Sequence, residues 1–319
     1  NTSTAAHSEL STPLTDNDTR VSNVLTRGTN VWFAMAADNS TTGPALGGGE
    51  GDNVSLMVRA NGTAAFTDNG TKITNNAGLT TFPQISDAGD GVYIMTGAGT
   101  TVTSFNAYDN STVKYLGATT VGTANTWCSA STGTAQEYAV IVSDNGSSSG
   151  AAGVYVSKVY DNGSSVVMTT AATGAHTDLE LCALTHLGGT FYLALSDNLG
   201  TSDNVSVWKS TDLATWSQIG SDFTMTENIV GLDIATTGSS VSDNAVWVAV
   251  NDASSVEVLH YEDIAGGSTS VWRSVGTVLT GATTSGAAAG VSIATDGTSV
   301  IGVSAVISSE TNAGFWYNQ

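Results

Sequence analysis

The sequence predicts an all-β chain, a six-bladed β-propeller of four-stranded antiparallel blades in one domain spanning residues 1–319. Three observations carry this expectation. A two-strand phrase, clearest at residues 232–250 (LDIATTGSSVSDNAVWVAV), alternates apolar and polar residues, turns near Gly238 and resumes at Val246-Trp247-Val248-Ala249-Val250. Alternation at a period of two, bounded by Gly, Ser and Asn, is the pattern of a half-buried strand. The phrase occurs six times, its second strand beginning at Val31, Val92, Tyr138, Phe191, Val246 and Val300. That is a step of about 50 residues, the spacing of repeats that hold four strands each. Finally, no amphipathic helical stretch of useful length interrupts the series.

Taken in order, residues 1–30 are polar and hold two short candidate strands, 9–14 and 21–26. The second unit adds strands at 54–58 and 64–67 around an Asn61-Gly62 turn, a strong hairpin signal because both turn positions favour positive φ. The third has strands 102–108 and 113–116 joined at Asp109-Asn110-Ser111, and the fourth 154–160 and 166–169 joined at Asp161-Asn162-Gly163. The fifth carries 205–209 and 216–219, the next 256–261 and 271–275. After Val300 the chain has room for strands 300–307 and 314–317 only. The N-terminal strands are therefore expected to complete the last blade and hide its edges.

The stretch Ser210-Thr211-Asp212-Leu213-Ala214-Thr215-Trp216 resembles the Asp-box hairpin turn of sialidase-like propellers, with Ala214 where that family has Gly. The resemblance implies a peripheral structural turn and no catalytic role.

The formal charge is −20, from 28 acidic and 8 basic residues. Such a surface disfavours nucleic acid and anionic membranes as partners. No apolar run is long enough to span a membrane. Asn1 suggests a start left by removal of a signal segment.

Motifs for chemistry are sparse. No nucleophile elbow, P-loop or dinucleotide fingerprint occurs, and the four His form no short-spaced ligand pair. Oxygen-rich residues 197–204 make a structural calcium near Asp197 and Asp203 conceivable, without EF-hand spacing. Cys128 and Cys182 stand at the same place in consecutive phrases, WCSAS and LCALT, and are expected to form a disulfide between neighbouring innermost strands.

Asp-Asn recurs ten times, and eight copies continue as Asn-x-Ser/Thr, at Asn17, Asn39, Asn53, Asn69, Asn110, Asn145, Asn162 and Asn204. Turn chemistry explains part of this. N-glycosylation in turns and loops explains the hydroxyl two residues on, and the pattern resembles the acid-dependent acceptor of bacterial oligosaccharyltransferases, with the acid one position closer.

These readings lead to an expected non-catalytic, extracellular, heavily N-glycosylated structural protein without a cofactor. It would self-assemble as a fibre, matrix or surface-layer subunit through the acceptor-free residues 205–319, its partners being copies of itself and its covalent glycans. The alternative is a secreted glycan-binding lectin or adhesin, with tryptophans such as Trp32, Trp127 and Trp247 stacking on sugars. A sialidase-like hydrolase ranks third, because the chain has only Arg20, Arg27, Arg59 and Arg273 to grip a carboxylate.

Overall fold

A computed structural model describes residues 19–27, 30–37, 52–59, 67–75, 83–98, 101–108, 112–120, 127–135, 137–144, 154–160, 165–169, 179–198, 203–225, 227–238, 245–252, 255–262, 271–280, 290–295, 297, 301–307 and 312–317. All regular structure among them is β, in antiparallel sheets arranged as a propeller. No helix among these residues is long and apolar enough to cross a membrane.

The recurring phrase becomes the first two strands of each sheet. Its copies are β2 (Leu25–Arg27) with β3 (Asn30–Ala37), β6 (Gln84–Asp87) with β7 (Gly91–Ala98), and β10 (Trp127–Ser131) with β11 (Tyr138–Asp144). The remaining copies are β14 (Leu179–Leu187) with β15 (Thr190–Asn198), β19 (Gly231–Thr237) with β20 (Ala245–Asn251), and β23 (Val291–Thr295) with β24 (Ile301–Ile307). Third and fourth strands follow outward: β4 (Asp52–Arg59) and β5 (Thr67–Asn75), β8 (Thr101–Tyr108) and β9 (Val113–Thr120), β12 (Val154–Tyr160) and β13 (Ser165–Thr169). In the fourth sheet β16 (Asp203–Ser210) is followed by the short β17 (Ser217–Gln218) and β18 (Phe223–Thr224), in the fifth β21 (Ser255–Glu262) by β22 (Val271–Thr280). The described strands thus fall into six sheets, and β2, β6, β10, β14, β19 and β23 pack side by side in chain order as the innermost strands.

Alternation explains the packing. The second to fifth sheets bury apolar side chains on both faces, and the core is divided among the interfaces between neighbouring sheets. Trp32, Leu56 and Ile73 of the first meet Ile85, Val92 and Ile94 of the second. Val140, Val142 and Val156 of the third meet Phe191, Leu193 and Trp208 of the fourth. Val205 and Val207 meet Ile234, Val248 and Leu259, and beyond them Ala249, Val256 and Val258 meet Ile293, Ile301 and Val303.

Two strand expectations are corrected. β1 (Thr19–Val21) and β2 both pair with β3, so the strand expected at 21–26 belongs to the first sheet. The last sheet shows β23, β24 and β25 (Asn312–Tyr317), with no N-terminal strand beside them among the described residues. The expected strand at 9–14 lies outside the described residues. Chain-length arithmetic had joined the two ends, but the register is decided by Val21 and Leu25 lying opposite Met35 and Trp32. The strand expected at 64–67 is instead β5, which starts at Thr67 and runs to Asn75. Its sequence, TDNGTKITN, has Ile73 as its one apolar anchor, 3% exposed. Asn69 and Gly70 fall where its register against β4 slips, a bulge that an outer strand tolerates.

The Asp-box is confirmed as a hairpin turn, between β16 and β17. The Ser210 hydroxyl donates to Asp212 Oδ1 at 3.1 Å and accepts the Leu213 N–H at 2.8 Å. Asp212 Oδ1 also accepts the Ala214 and Thr215 N–H groups at 2.8 and 2.7 Å, and these backbone donors hold its carboxyl down at about 2. Left-handed backbone sits on Leu213 (φ 64°), one residue before Ala214. Leu213 accepts this strain because its side chain is fully buried against the core of the third and fourth sheets. Leu213→Ala is therefore expected to lower the unfolding free energy by about 2–5 kcal/mol, the cost of emptying a buried leucine site. Leu213→Gly should be about 1 kcal/mol more stable than the Ala variant, because glycine adopts positive φ without a Cβ clash. Urea denaturation checks both values, and Gly below Ala would contradict the strain assignment.

Candidate active site

An innermost strand is a sheet edge, so half of its backbone N–H and C=O groups lack a ladder partner. This chain supplies side chains from the preceding sheet to meet them. Asn23 offers both a donor and an acceptor: its Nδ2 donates to Ile85 O at 2.9 Å and its Oδ1 accepts the Ile85 N–H at 2.8 Å. Gln84 does the same one sheet on, donating to Trp127 O at 3.2 Å and accepting the Ser129 N–H at 2.9 Å. Between the third and fourth sheets the link is covalent. Cys128 on β10 and Cys182 on β14 are disulfide-bonded, with Cα atoms 5.7 Å apart, inside the range that permits a bridge. Asp203 then receives the Ile229 N–H on Oδ2 at 2.5 Å, and Asp233 the Ile293 N–H on Oδ2 at 2.9 Å.

Asp233 differs from the others. It lies near the start of β19, at the end where all the innermost strands begin, and it is only half-buried. Packing around it nevertheless disfavours the charged form and pushes its carboxyl up to about 6. Backbone donors from Ile293 and Ile234 (2.8 Å, to Oδ1) and the Ser292 hydroxyl partly offset that desolvation. A carboxylate has about four lone-pair sites, so two backbone bonds still leave room for a proton. Sequence reading missed Asp233 because it fills a polar position in the alternating phrase and looks like a solvated residue.

One other acid is placed near this end on an adjacent innermost strand. Glu180 stands where β14 slips register against β15, and β14 packs beside β19. Bulges are frequent next to active sites.

The other expected sites fall as follows. Asn17, Asn39, Asn110, Asn145 and Asn162 lie outside the described residues. Asn53 is in β4, Asn69 in β5 and Asn204 in β16, so the expectation that every acceptor lies in a turn or loop is corrected for these three. Asn204 pairs with Asp197 on one side and Thr224 on the other and is half-buried. An acid of the Asp-Asn pattern also has a plain structural use: Asp203 accepts the Ile229 N–H. For the calcium expectation, Asp203 is fully buried at the start of β16 and Asp197 lies in β15, but no group of three His, Cys, Asp or Glu gathers among the described residues. Trp32, Trp127 and Trp208 are buried in the sheet interfaces, and Trp247 stacks on His260 with centroids 3.8 Å apart. Packing thus accounts for these four tryptophans.

No protein-family model matches this chain, and no curated protein matches it in sequence. Solved structures do. The α-L-arabinofuranosidase Arb93A from Fusarium graminearum, in complex with an iminosugar inhibitor, is similar over 91% of this chain and 88% of its own, with TM-score 0.59 and 12% identity. The Penicillium chrysogenum α-L-arabinanase complexed with arabinobiose is similar over 91% and 89%, with TM-score 0.57 and 9% identity. The fucose-specific lectin from Aleuria aurantia is similar over 94% and 91%, with TM-score 0.55 and 12% identity. At such identities the likeness establishes the fold. It also corrects the expectation of a non-catalytic, filament-forming structural subunit, which rested on the glycan acceptors and the lack of catalytic motifs, since two of these three similar structures are glycoside hydrolases.

Proposed function

We propose that this chain is an extracellular glycan-hydrolysing β-propeller, with its site where the innermost strands begin and Asp233 as the proton donor. The single observation that carries the reading is a half-buried carboxyl at that end of the ring, raised to about 6. Such a group keeps its proton at mildly acid pH, as a general acid for a leaving glycosidic oxygen requires. Glycoside cleavage also needs a second carboxyl, as nucleophile or base, and Glu180 is our candidate by its place on β14. The shared fold with an arabinofuranosidase and an arabinanase supports the reaction class. Assay of reducing-end release from a glycan panel, with Asp233→Asn and Glu180→Gln as comparisons, tests it.

A second reading, a sugar-binding propeller, is favoured by one observation. Both Asp233 oxygens already accept backbone N–H groups, as in a purely structural link, and a fucose lectin shares the fold. Binding without turnover would select it.

The Cys128–Cys182 bridge supports an oxidising, extracellular setting. We read each of the six sheets as one blade, although the resemblance to other propellers would also fit a smaller ring. An experimental density map with five would correct that count. N-glycosylation is proposed on the sequence pattern at Asn17, Asn39, Asn110, Asn145 and Asn162. Glycopeptide mass spectrometry of native material should find these modified and Asn204, held between two strands, unmodified. Glycan at Asn204, or none elsewhere, would contradict the assignment.

A further inference from the structure

Two innermost strands carry the proposed carboxyl pair, and each is tied near its start to one buried polar side chain of the fourth sheet. β14 slips register between Leu179 and Leu181, with Glu180 as the extra residue. A bulge disrupts the ladder locally, and the Leu181 N–H beside this one is donated to the Ser196 hydroxyl at 3.1 Å. Ser196, on β15, is fully buried. The approach to β19 is tied in the same way by Asp203, fully buried at the start of β16. Its backbone carbonyl accepts the Met225 N–H at 2.8 Å, and its Oδ2 accepts the Ile229 N–H. Val230, the next residue, donates to Asn251 O at 2.8 Å. β19 then starts at Gly231, and Asp233 follows two residues on.

We infer that Ser196 and Asp203 are positioning residues, which fix the backbone at Glu180 and at Asp233 relative to each other. The inference rests on the proposed reading of those two acids as a hydrolytic pair. β14 and β19 pack side by side but belong to different sheets, so no ladder sets one against the other. Their relative placement is left to packing and to side-chain anchors. Both anchors sit on one pair of strands. Ser196 lies opposite Val205, and Asp203 is two places from Val205 on the same side of the sheet. Val205 packs there with Ile229 and Ile234, between the fourth and fifth sheets. Burying a carboxylate costs more than burying an apolar side chain, and Oδ1 of Asp203 has no partner among the described residues. Stability therefore gives no reason for an acid at this place, whereas holding the Ile229 N–H does. Placement matters to the chemistry, because reacting groups displaced by about 1 Å can lose about 10²-fold in rate.

The experiment uses the full chain with neutral arabino-oligosaccharides. Asp203→Asn keeps an oxygen for the Ile229 N–H and Asp203→Ala does not. Both remove the same charge, so the difference between them reports the anchor alone. Relative to wild type, kcat should stay within about threefold in the Asn variant and fall about 10²-fold in the Ala variant, with KM within about threefold in both. Ser196→Ala should lower kcat about tenfold, and Ser196→Thr, which keeps a hydroxyl, should restore it. Titration of the Asp233 carboxyl carbon by NMR adds a readout that needs no turnover. Its midpoint should drop toward the ordinary carboxylate range in Asp203→Ala, as a displaced strand lets water reach the group, and hold in Asp203→Asn. If wild type forms no reducing ends, hydrolysis is what fails, and this titration still decides the anchor. Equal kcat in the folded Ala and Asn variants or, without turnover, equal midpoints overturns the inference. Should Asp203→Ala not fold, Ser196→Ala decides, by kcat or, without turnover, by faster exchange of the Leu181 amide, and no change from wild type overturns it.

Discussion

Asp233→Asn should reduce glycan turnover by about 10²–10⁴-fold, the range supplied by a positioned general acid, while the protein remains folded. The pH dependence identifies the cause. The group's folded value is raised from 3.8 to about 6, so the native state binds the extra proton between those values. Turnover that needs protonated Asp233 should fall as pH rises through about 6, and the variant should lack that limb. Stability carries the same signature. A raised folded value means the associated stabilisation is present below the unfolded value, and is lost as pH rises through the folded one. Wild type should therefore lose up to about 3 kcal/mol of unfolding free energy from this group between about pH 4 and 6, and the Asn variant should not. Denaturant midpoints across that range check the stability part. Unchanged activity and an unchanged pH profile in the variant would remove Asp233 from both roles.

Cys128→Ser with Cys182→Ser should be a costly structural change. The bridge closes a loop of sequence separation 54 between neighbouring innermost strands. Chain-entropy reasoning gives about 4 kcal/mol for a loop of that length. The loss should fall at the interface of the third and fourth sheets, where Val140, Val142 and Leu193 lie. Hydrogen exchange should therefore speed first in β10, β11, β14 and β15. An unfolding free energy unchanged within error, or uniform acceleration across all sheets, would show that the bridge is not the clamp of this interface.

The fold was legible where alternation was strong. In the six phrases, buried residues such as Ile85, Leu193, Val248 and Val303 lie in short apolar or alternating runs bounded by polar and turn residues, so the first two strands of every sheet could be read directly. Outer strands were less legible, because they bury little: β5 offers Ile73 alone, and its Asn-Gly pair imitates a turn. The chain ends were misassigned because a length sum says nothing about which edge a strand prefers. The disulfide could be foreseen from equivalent places in consecutive phrases. The links between innermost strands could not, since Asn23, Gln84 and Asp233 are ordinary polar residues until the unpaired edge beside them is seen. The one available signal for Asp233 was a charged residue at a polar position of an innermost strand, where the other copies of the phrase hold mostly Ser, Thr or Gln. The absence of recognised catalytic motifs was given too much weight, and it led to the structural role that the shared fold with glycoside hydrolases corrects.

Release of new reducing ends from neutral oligosaccharides, measured for wild type and Asp233→Asn side by side at about pH 5, where a group raised to about 6 holds its proton, addresses the central claim most directly. The account predicts steady release by wild type and a loss of at least about 10²-fold in the variant. Saturable sugar binding by wild type with no reducing ends formed would contradict it and leave a sugar-binding propeller in its place.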